Sequence, residues 1–253
     1  MAVLLAVLAM PGAFAATAPR VPEARPIASL PIPAARQGLT AVEGHLWTID
    51  TRTGVLLKIR ASDGKTVATL RSPVAKPRAL AWDGKALWCA GARGDRLYRI
   101  DPKEGRLLKS LPAPKLKASS STTLEALAWD GGHLWVGIAA GWSSSLIQVD
   151  PESGKVLQSI FAEGYPRALA SDGKSLWMAN YNEGKSPSML ARWTILKDAT
   201  KMSLTHTFVA CLPGRDPSGL TWDGKGLWYA DRGMKAFQKL RLPAEPMREG
   251  GPA

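Results

Sequence analysis

The chain has 253 residues, of which 45% are hydrophobic and 21% charged, and its formal net charge is +12. This composition excludes a disordered chain and a bundle of membrane helices, and the length suffices for one large all-β domain. The positive charge could suit a nucleic-acid binder. However, the sequence has no basic run of five residues and no known binding motif, so we expect no nucleic-acid partner.

The first fifteen residues differ in composition from the rest of the chain. Residues 2–10 are apolar, Pro11-Gly12 follow, and residues 13–15 (Ala-Phe-Ala) have the small-x-small pattern that precedes a cleavage site. We therefore predict a signal peptide over residues 1–15, a Pro-containing leader over 16–25, and a periplasmic or secreted protein. No Lys or Arg precedes the apolar run, so a misplaced start codon stays open as an alternative. The run is too short to span a bilayer as a helix.

Copies of one four-strand pattern fill the rest of the chain. In the clearest copy, residues 77–112, short apolar runs are separated by Asp83-Gly84 and by residues 101–105. Such short runs bounded by Gly, Pro and Asp indicate antiparallel strands, and Asp-Gly favours a hairpin. A Leu-Trp pair marks each second strand and recurs about every 40–50 residues, a period typical of β-propellers. The pairs are Leu46-Trp47, Leu87-Trp88, Leu134-Trp135, Leu176-Trp177 and Leu227-Trp228.

The repeats predict an all-β fold, a five-bladed β-propeller of four-stranded antiparallel blades in one domain over residues 26–243. The blades cover about 38–74, 78–114, 124–162, 166–213 and 217–243, and a flexible tail, 244–253, follows. The hairpin before each Leu-Trp pair is Asp-Gly in four copies and Glu43-Gly44 in the first. The residue before that turn is Trp in three copies, with Val42 and Ser171 in the others. An ordinary β-sandwich needs no repeated turn at a repeated offset.

The fifth copy lacks a fourth strand, and an unassigned strand stands at the other end of the chain. Residues 27–31, IASLP, resemble the fourth strand LKSLP at 108–112. We predict that the N-terminal strand, 27–33, completes the last blade and closes the ring, because this pairing removes two exposed edges.

The two cysteines, Cys89 and Cys211, fall in the second and fourth copies. A disulfide needs Cα atoms within about 7 Å, whereas non-adjacent blades keep their central strands far apart. We therefore expect two unpaired, buried thiols, which are also too few for a thiolate zinc cluster.

Stretches such as ALAWDGKALW and LYRIDPKEGRLLKSL are similar to the repeats of secreted bacterial propellers, the YVTN/NHL-like proteins and the glutamine cyclotransferase family. Residues 144–157, SSLIQVDPESGKVL, resemble one repeat of the five-bladed glutamine cyclotransferases in particular. The resemblance implies a propeller and makes cyclisation of N-terminal glutamine an alternative activity. In that family a catalytic Glu follows the Leu-aromatic pair of the preceding strand. Val136 stands at that position here, so no catalytic residue carries over.

In each copy, a polar residue precedes a small residue and a leucine near the start of the first strand. The start of the first strand lines the central channel of a propeller. Two arginines flank a glutamate in this set. Arginine offers a planar donor fork for carboxylate or phosphate, and a glutamate between two cations suits a salt bridge better than proton transfer. A polar lining for a water-filled channel is the alternative interpretation. The five residues are Gln37, Arg78, Glu125, Arg167 and Ser218.

The residues at the ends of the second strands should add further polar side chains at the same end of the channel. Glu125, Asn180 and Asp231 could give oxygen ligands to a hard cation, as in lactonase-type propellers, which have six blades. We expect no cofactor, with Ca²⁺ or Zn²⁺ as the alternative. Trp142 lies in a Gly- and Ser-rich connection. Its side chain either forms a stacking platform for a ligand or packs over a blade edge. The residues at the second-strand ends are Asp50, Arg93, Asn180, Tyr181, Asp231 and Arg232.

No nucleophile–base pair stands out, and the three histidines fall in turns or in a peripheral strand. We therefore expect a binding module whose funnel takes a small anionic ligand, a peptide or an envelope protein. The alternatives are a glutaminyl-peptide cyclotransferase-like enzyme and a metal-assisted lactonase or other hydrolase. Lysines in the turns suit contact with an anionic surface, and we expect a monomer.

Overall fold

The structure is a computed structural model that describes residues 21–32, 36–91, 94–115, 122–140, 143–181, 187–195 and 206–243. The predicted signal peptide, the first part of the leader, the C-terminal tail, Arg93 and Trp142 lie outside these residues. None of the described segments forms a helix long and apolar enough to cross a membrane.

Within these described residues, twenty strands form five four-stranded antiparallel sheets. Blade one has β2 (Arg36–Val42), β3 (His45–Asp50), β4 (Val55–Arg60) and β5 (Thr66–Arg71). Blade two has β6 (Pro77–Trp82), β7 (Leu87–Gly91), β8 (Arg96–Ile100) and β9 (Leu107–Pro112). Blade three has β10 (Thr123–Trp129), β11 (Leu134–Ala140), β12 (Ser143–Val149) and β13 (Val156–Phe161).

Blade four has β14 (Tyr165–Ser171), β15 (Ser175–Tyr181), β16 (Met189–Thr194) and β17 (His206–Cys211). Blade five has β18 (Pro217–Trp222), β19 (Leu227–Asp231) and β20 (Ala236–Arg241), and its fourth strand is β1 (Arg25–Pro31). The predicted five-bladed propeller with an N-terminal closing strand is therefore confirmed.

The first strand of each blade contacts the first strands of both neighbours, β2 to β6, β6 to β10, β10 to β14, β14 to β18 and β18 back to β2. These five strands form a closed ring around a central channel. Five apolar clusters make up the core, each between two adjacent blades. The second strands lie within these clusters, so the Leu and Trp of each pair are both buried.

The closing strand β1 pairs antiparallel with β20, with Ser29 opposite Gln238 and Leu30 opposite Phe237. Leu30 and the following Ile32 are buried in the cluster between blades five and one. Residues 22–24, which the sequence places in the leader, lie alongside blade four. There the backbone N–H of Cys211 donates to Pro22 and that of Ala24 donates back to Cys211.

Four of the hairpins share one hydrogen-bonded turn, built by an aspartate that accepts from the indole of its own blade. The Trp Nε1–Asp Oδ2 distances are 2.8–3.0 Å, and Asp Oδ1 accepts two backbone N–H groups of the turn. This double use of one carboxylate explains why Asp-Gly and Leu-Trp recur together. We call these residues, Asp83, Asp130, Asp172 and Asp223, the turn aspartates.

Blade one departs from this pattern by one residue. Ala41 pairs with Leu46 there, whereas Trp82 pairs with Leu87 in blade two. Ala41, rather than Val42, is therefore the counterpart of Trp82, and Val42 is the counterpart of Asp83. The sequence alignment on Glu43-Gly44 was wrong by one position, because Glu-Gly imitates the Asp-Gly turn of the other copies.

Both thiols are unpaired, as predicted. Cys89 is fully buried between blades one and two, where burial raises the pKa of its thiol and keeps it protonated. Cys211 is only half-buried, at the outer strand of blade four, so the prediction of burial was wrong for this residue.

Candidate functional site

The central channel has a separate space at each of its two ends. At one end, which we call the channel mouth, Glu125, Arg167 and Ser218 line a space of only about 10 Å³, roughly the room one water molecule needs. At the other end a chamber of about 170 Å³ is lined by Trp82, Trp129 and other hairpin-end residues. Five leucines, one from each first strand, line both spaces and are buried in the clusters between the blades: Leu39, Leu80, Leu127, Leu169 and Leu220.

Glu125 sits between two arginines at the channel mouth. Its Oε2 accepts from Arg167 Nη1 at 3.0 Å, and its Oε1 lies 3.9 Å from Arg78 Nη1. The glutamate side chain is only 8% exposed, whereas those of Arg78 and Arg167 are 25% and 21% exposed. The predicted ring of Arg78, Glu125 and Arg167 thus lies together, with net charge +1 and both arginine side chains partly exposed.

A β-bulge positions each of these side chains. The pairing of the first and second strands skips Arg78 in blade two, Glu125 in blade three and Arg167 in blade four. A bulge re-aims the extra residue, and here it brings side chains from three neighbouring blades to one place. Ser218 is the skipped residue of blade five.

Blade one does not contribute in the same way. Its bulge falls at Gly38, because Gln37 pairs with Ile49 and Leu39 with Thr48. Gln37 is half-buried and does not line the mouth space. The sequence prediction that Gln37 joins the ring is not reproduced by the backbone, since glycine takes the bulge one residue later.

Two polar atoms at the mouth lack a protein partner. Within the described part of the chain, Arg167 Nε and Ser218 Oγ are buried without a hydrogen bond. Ser218 is 3% exposed and lines the narrow space beside Glu125. Buried polar groups in native proteins are nearly always satisfied, so these two donors mark a place for water or for an atom of a ligand.

Tyr181 extends the mouth outward. The Arg167 guanidinium lies over its ring at 5.0 Å from the centroid, and the Tyr165 ring is 6.3 Å away. The aromatic face holds the guanidinium plane by a cation–π contact. Tyr181 therefore belongs to the same group as Glu125 and Arg167.

Asn180 and Asp231 bind the chain's own loops. Asn180 Oδ1 accepts from the Met189 backbone at 2.8 Å. Asp231 Oδ2 accepts from the Asp216 N–H and from the Tyr229 hydroxyl, and Oδ1 accepts from the Gly233 N–H. Burial, together with Asp231, raises the pKa of Tyr229 far above its usual range and keeps this hydroxyl a donor. These oxygens are committed to holding the loops.

Arg232 and Asp50 also form local pairs. Arg232 Nη1 lies 3.1 Å from Asp216 Oδ1, and Arg36 Nη1 lies 3.1 Å from Asp50 Oδ2. Among the residues that the structure places, no group of three His, Cys, Asp or Glu could hold a metal ion. Of the oxygen set proposed from the sequence, Glu125 forms two ion pairs, and Asn180 and Asp231 accept hydrogen bonds from the chain's own residues.

The sequence analysis missed a groove at the hairpin end, between blades five and one. Its volume is about 430 Å³, and its lining includes Ala41, Ala61, Trp222, Trp228 and Lys239. The available signal was the absence of Trp from two copies of the Trp-Asp-Gly pattern, those of blades one and four. That signal was obscured by the one-residue misalignment of blade one.

The fold has clear relatives, although no protein-family model and no curated protein matches the sequence. It is similar to the glutaminyl cyclase of Myxococcus xanthus, with TM-score 0.65 and 12% identity over 89% of this chain and 97% of that one. The PQQ-bound aldose sugar dehydrogenase of Streptomyces coelicolor has a TM-score of 0.54 and 12% identity, over 89% of this chain and 100% of that one. For a luciferin-regenerating enzyme the TM-score is 0.55 and the identity 16%, over 83% of this chain and 73% of that one.

Identities this low show a shared fold. The chain is a five-bladed β-propeller, and its resemblance to the glutamine cyclotransferases is confirmed at the level of that fold. The position where the family carries its catalytic Glu, Val136, is fully buried between Leu127 and Ile147 in the sheet of blade three.

Proposed function

We propose that the chain is a periplasmic or secreted binding protein that holds a small carboxylate-bearing ligand, or an acidic peptide, at the channel mouth. The observation that carries this proposal is the arrangement of Arg78 and Arg167 around one buried carboxylate, Glu125. Two guanidinium groups share one counter-charge, so the mouth is net cationic and donors remain for a second anion.

The geometry of the pairs supports a ligand beside Glu125. The Arg78–Glu125 distance of 3.9 Å is an ion-pair contact, too long for a hydrogen bond. Arg78 can therefore turn its donors toward a ligand. Arg167 Nε and Ser218 Oγ add two donors without partners among the described residues. The space beside Glu125 has room for about one water molecule, so a larger ligand lies at the mouth.

The test compares Arg167→Ala with Lys85→Ala in calorimetric titrations with acetate, succinate, citrate and inorganic phosphate. Loss of one charge-assisted contact costs about 1.5–3 kcal/mol, or roughly a 10- to 150-fold weaker Kd. Lys85 is an exposed turn residue, and screening makes its contribution negligible. Equal losses for both variants, or binding of none of the four anions, would show that the arginines only line the channel.

Arg167→Lys refines the comparison. Lysine keeps the charge but loses the planar fork and the stacking on Tyr181, so we expect most of the loss seen with alanine. Full binding by this variant would mean that charge alone attracts the ligand.

A cyclotransferase-like enzyme is the second candidate, favoured by the extent of the match to the M. xanthus glutaminyl cyclase. Val136 gives no acid at the family position. Incubation of the purified protein with Gln-initiated peptides, and with lactones in the presence and absence of Ca²⁺ or Zn²⁺, tests both enzymatic alternatives. Turnover lost in Arg167→Ala would place catalysis at the mouth and replace the binding proposal.

A further inference from the structure

In three of the five interfaces between blades, one aromatic side chain fills the space at the hairpin end. Trp82 packs on the cluster that contains Trp47, Trp129 on the cluster with Trp88, and Trp222 on the cluster with Trp177. We call these three the wedge tryptophans. Each is the last residue of a first strand and packs on the cluster that contains the buried indole of the preceding blade.

Blade four has Ser171 at the wedge position, and its interface is filled in another way. Ile195, the residue after the third strand, packs on the cluster that contains Trp135. Its N–H donates to the carbonyl of Lys174, which fixes it at this end of the blade. An aliphatic side chain from blade four thus substitutes for the missing wedge.

Among the residues that the structure describes, blade one has neither filler. Ala41 stands at the wedge position, and Ala61, the residue after the third strand, occupies the place of Ile195. The N–H of Ala61 donates to the Gly44 carbonyl, in the same way as Ile195 to Lys174. Two alanines therefore face the interface with Trp228, and the groove of about 430 Å³ opens there. We call it the five–one groove.

We propose that the five–one groove is a binding site for a planar aromatic ring of indole size. Its neighbours show what fits such an interface, since three of the five are filled by an indole. The groove is large enough for a small ligand, and Trp222 and Trp228 line it on the blade-five side. Offset or edge-to-face aromatic contact adds to the burial of the ring.

The rim of the groove is polar, so it suits an aromatic ring that carries a hydrogen-bonding group. Lys239 Nζ donates to Asp223 at 2.6 Å and lies 5.8 Å from the Trp228 ring centroid. The exposed Glu43 and Lys225 stand at the opening. An indole N–H or a peptide amide attached to the ring can reach these groups. A free small molecule and the side chain of a peptide are two sources of such a ring, and the chemistry of recognition is the same for both.

The test measures the midpoint of thermal unfolding by calorimetry with indole, N-acetyl-tryptophanamide or cyclohexanol. Variants Ala41→Trp and Ala61→Ile fill the groove, while Ser171→Trp is the matched control at the interface of blades three and four. We expect indole at several times its Kd to raise the midpoint of the natural protein and of the control by about 2–4 °C. We expect no rise in the two filled variants, and a smaller rise with cyclohexanol.

An unmoved midpoint in the natural protein, or an equal rise in all four proteins, would overturn the proposal. Ala61→Ile copies a residue that the fold already uses, so it gives an answer even if Ala41→Trp does not fold. A response to indole but not to N-acetyl-tryptophanamide identifies a free ligand as the source of the ring, and a response to both admits a peptide side chain. The groove lies at the opposite end from the channel mouth, so Arg167→Ala should bind indole normally.

Discussion

Glu43 adopts a backbone conformation that side chains disfavour. Its φ is +45°, and its structural counterpart in blade two is Gly84, with φ +92°. Left-handed backbone costs roughly 1–2 kcal/mol for a residue with a Cβ, which glycine avoids. Blade one alone carries this strain, because its hairpin places Glu where the other four copies place glycine.

We predict that Glu43→Gly stabilises the protein by about 0.5–1 kcal/mol, since relief of the strained backbone outweighs the added freedom of the unfolded chain. Urea unfolding with an unchanged m-value measures this. The control is Lys85→Gly, at a turn position without positive φ, which should be neutral or destabilising. A loss of stability in Glu43→Gly would show that the glutamate makes a compensating contact.

The turn aspartates are the second feature at this scale. Burial alone would raise the pKa of Asp83, but hydrogen bonds from Arg99 and from two backbone N–H groups outweigh it and hold the pKa below its usual range. The Asp83–Arg99 contact is 2.6 Å, and the aspartate side chain is 6% exposed. A carboxylate whose pKa is lowered by folding stabilises the native state wherever it is ionised in both states.

We predict that Asp83→Asn lowers the free energy of unfolding at pH 7 by about 1.5–3 kcal/mol, because the charge-assisted bonds to Arg99 and Trp88 are weakened. The difference in free energy of unfolding should be complete above about pH 5. It should shrink as the pH falls through about 3.9, the pKa of Asp in the unfolded chain, and below. Urea unfolding of both proteins from pH 7 to 3 measures it. A difference independent of pH would assign the effect to packing.

At the scale of elements, the closing strand holds the ring together. β1 gives blade five its fourth strand, and Leu30 and Ile32 enter the cluster between blades five and one. Without β1, the edge of β20 and the apolar side chains beneath it face solvent.

We predict that removal of residues 1–33 lowers the melting temperature by about 10–20 °C, from the lost burial of two aliphatic side chains and a strand pairing. Removal of residues 1–20 alone is the control and should change little. Calorimetry of both shortened chains gives the answer. A midpoint within about 2 °C of the control would mean that the ring closes without this strand.

The strands and their order could be predicted from the sequence because turns and Leu-Trp pairs recur at fixed offsets. The register of blade one could not, since Glu43-Gly44 imitates the Asp-Gly turn while Val42 takes the place of an aspartate. The position of the bulge at Gly38 was equally hidden. Local turn chemistry fixes which residues form a hairpin, but the one-residue register depends on packing against the next blade.

At the scale of the whole molecule, the meeting of Arg78, Glu125 and Arg167 could be predicted because first strands line the channel in every propeller. The narrow space at the mouth and the five–one groove could not. Both depend on how side chains from several blades fill a shared space, and no single repeat contains that information.

We predict that the protein leaves the cytoplasm with cleavage near Ala16, because the apolar run and small-x-small pattern of residues 2–15 match a signal peptide. N-terminal sequencing of the protein recovered from periplasm and medium measures this. A replacement of Leu4 and Leu5 by Arg, which breaks the apolar run, should retain the chain inside. An intact Met1 on a cytoplasmic species would contradict secretion.

The space beside Glu125 has a volume of about 10 Å³, room for one water molecule, so a larger ligand cannot pass through the channel. Such a ligand enters and leaves at the channel mouth. The chamber and the five–one groove lie at the opposite end, so a surface bound there leaves the mouth open. Occupants of the two sides share no contacts, and their stabilising effects should simply add.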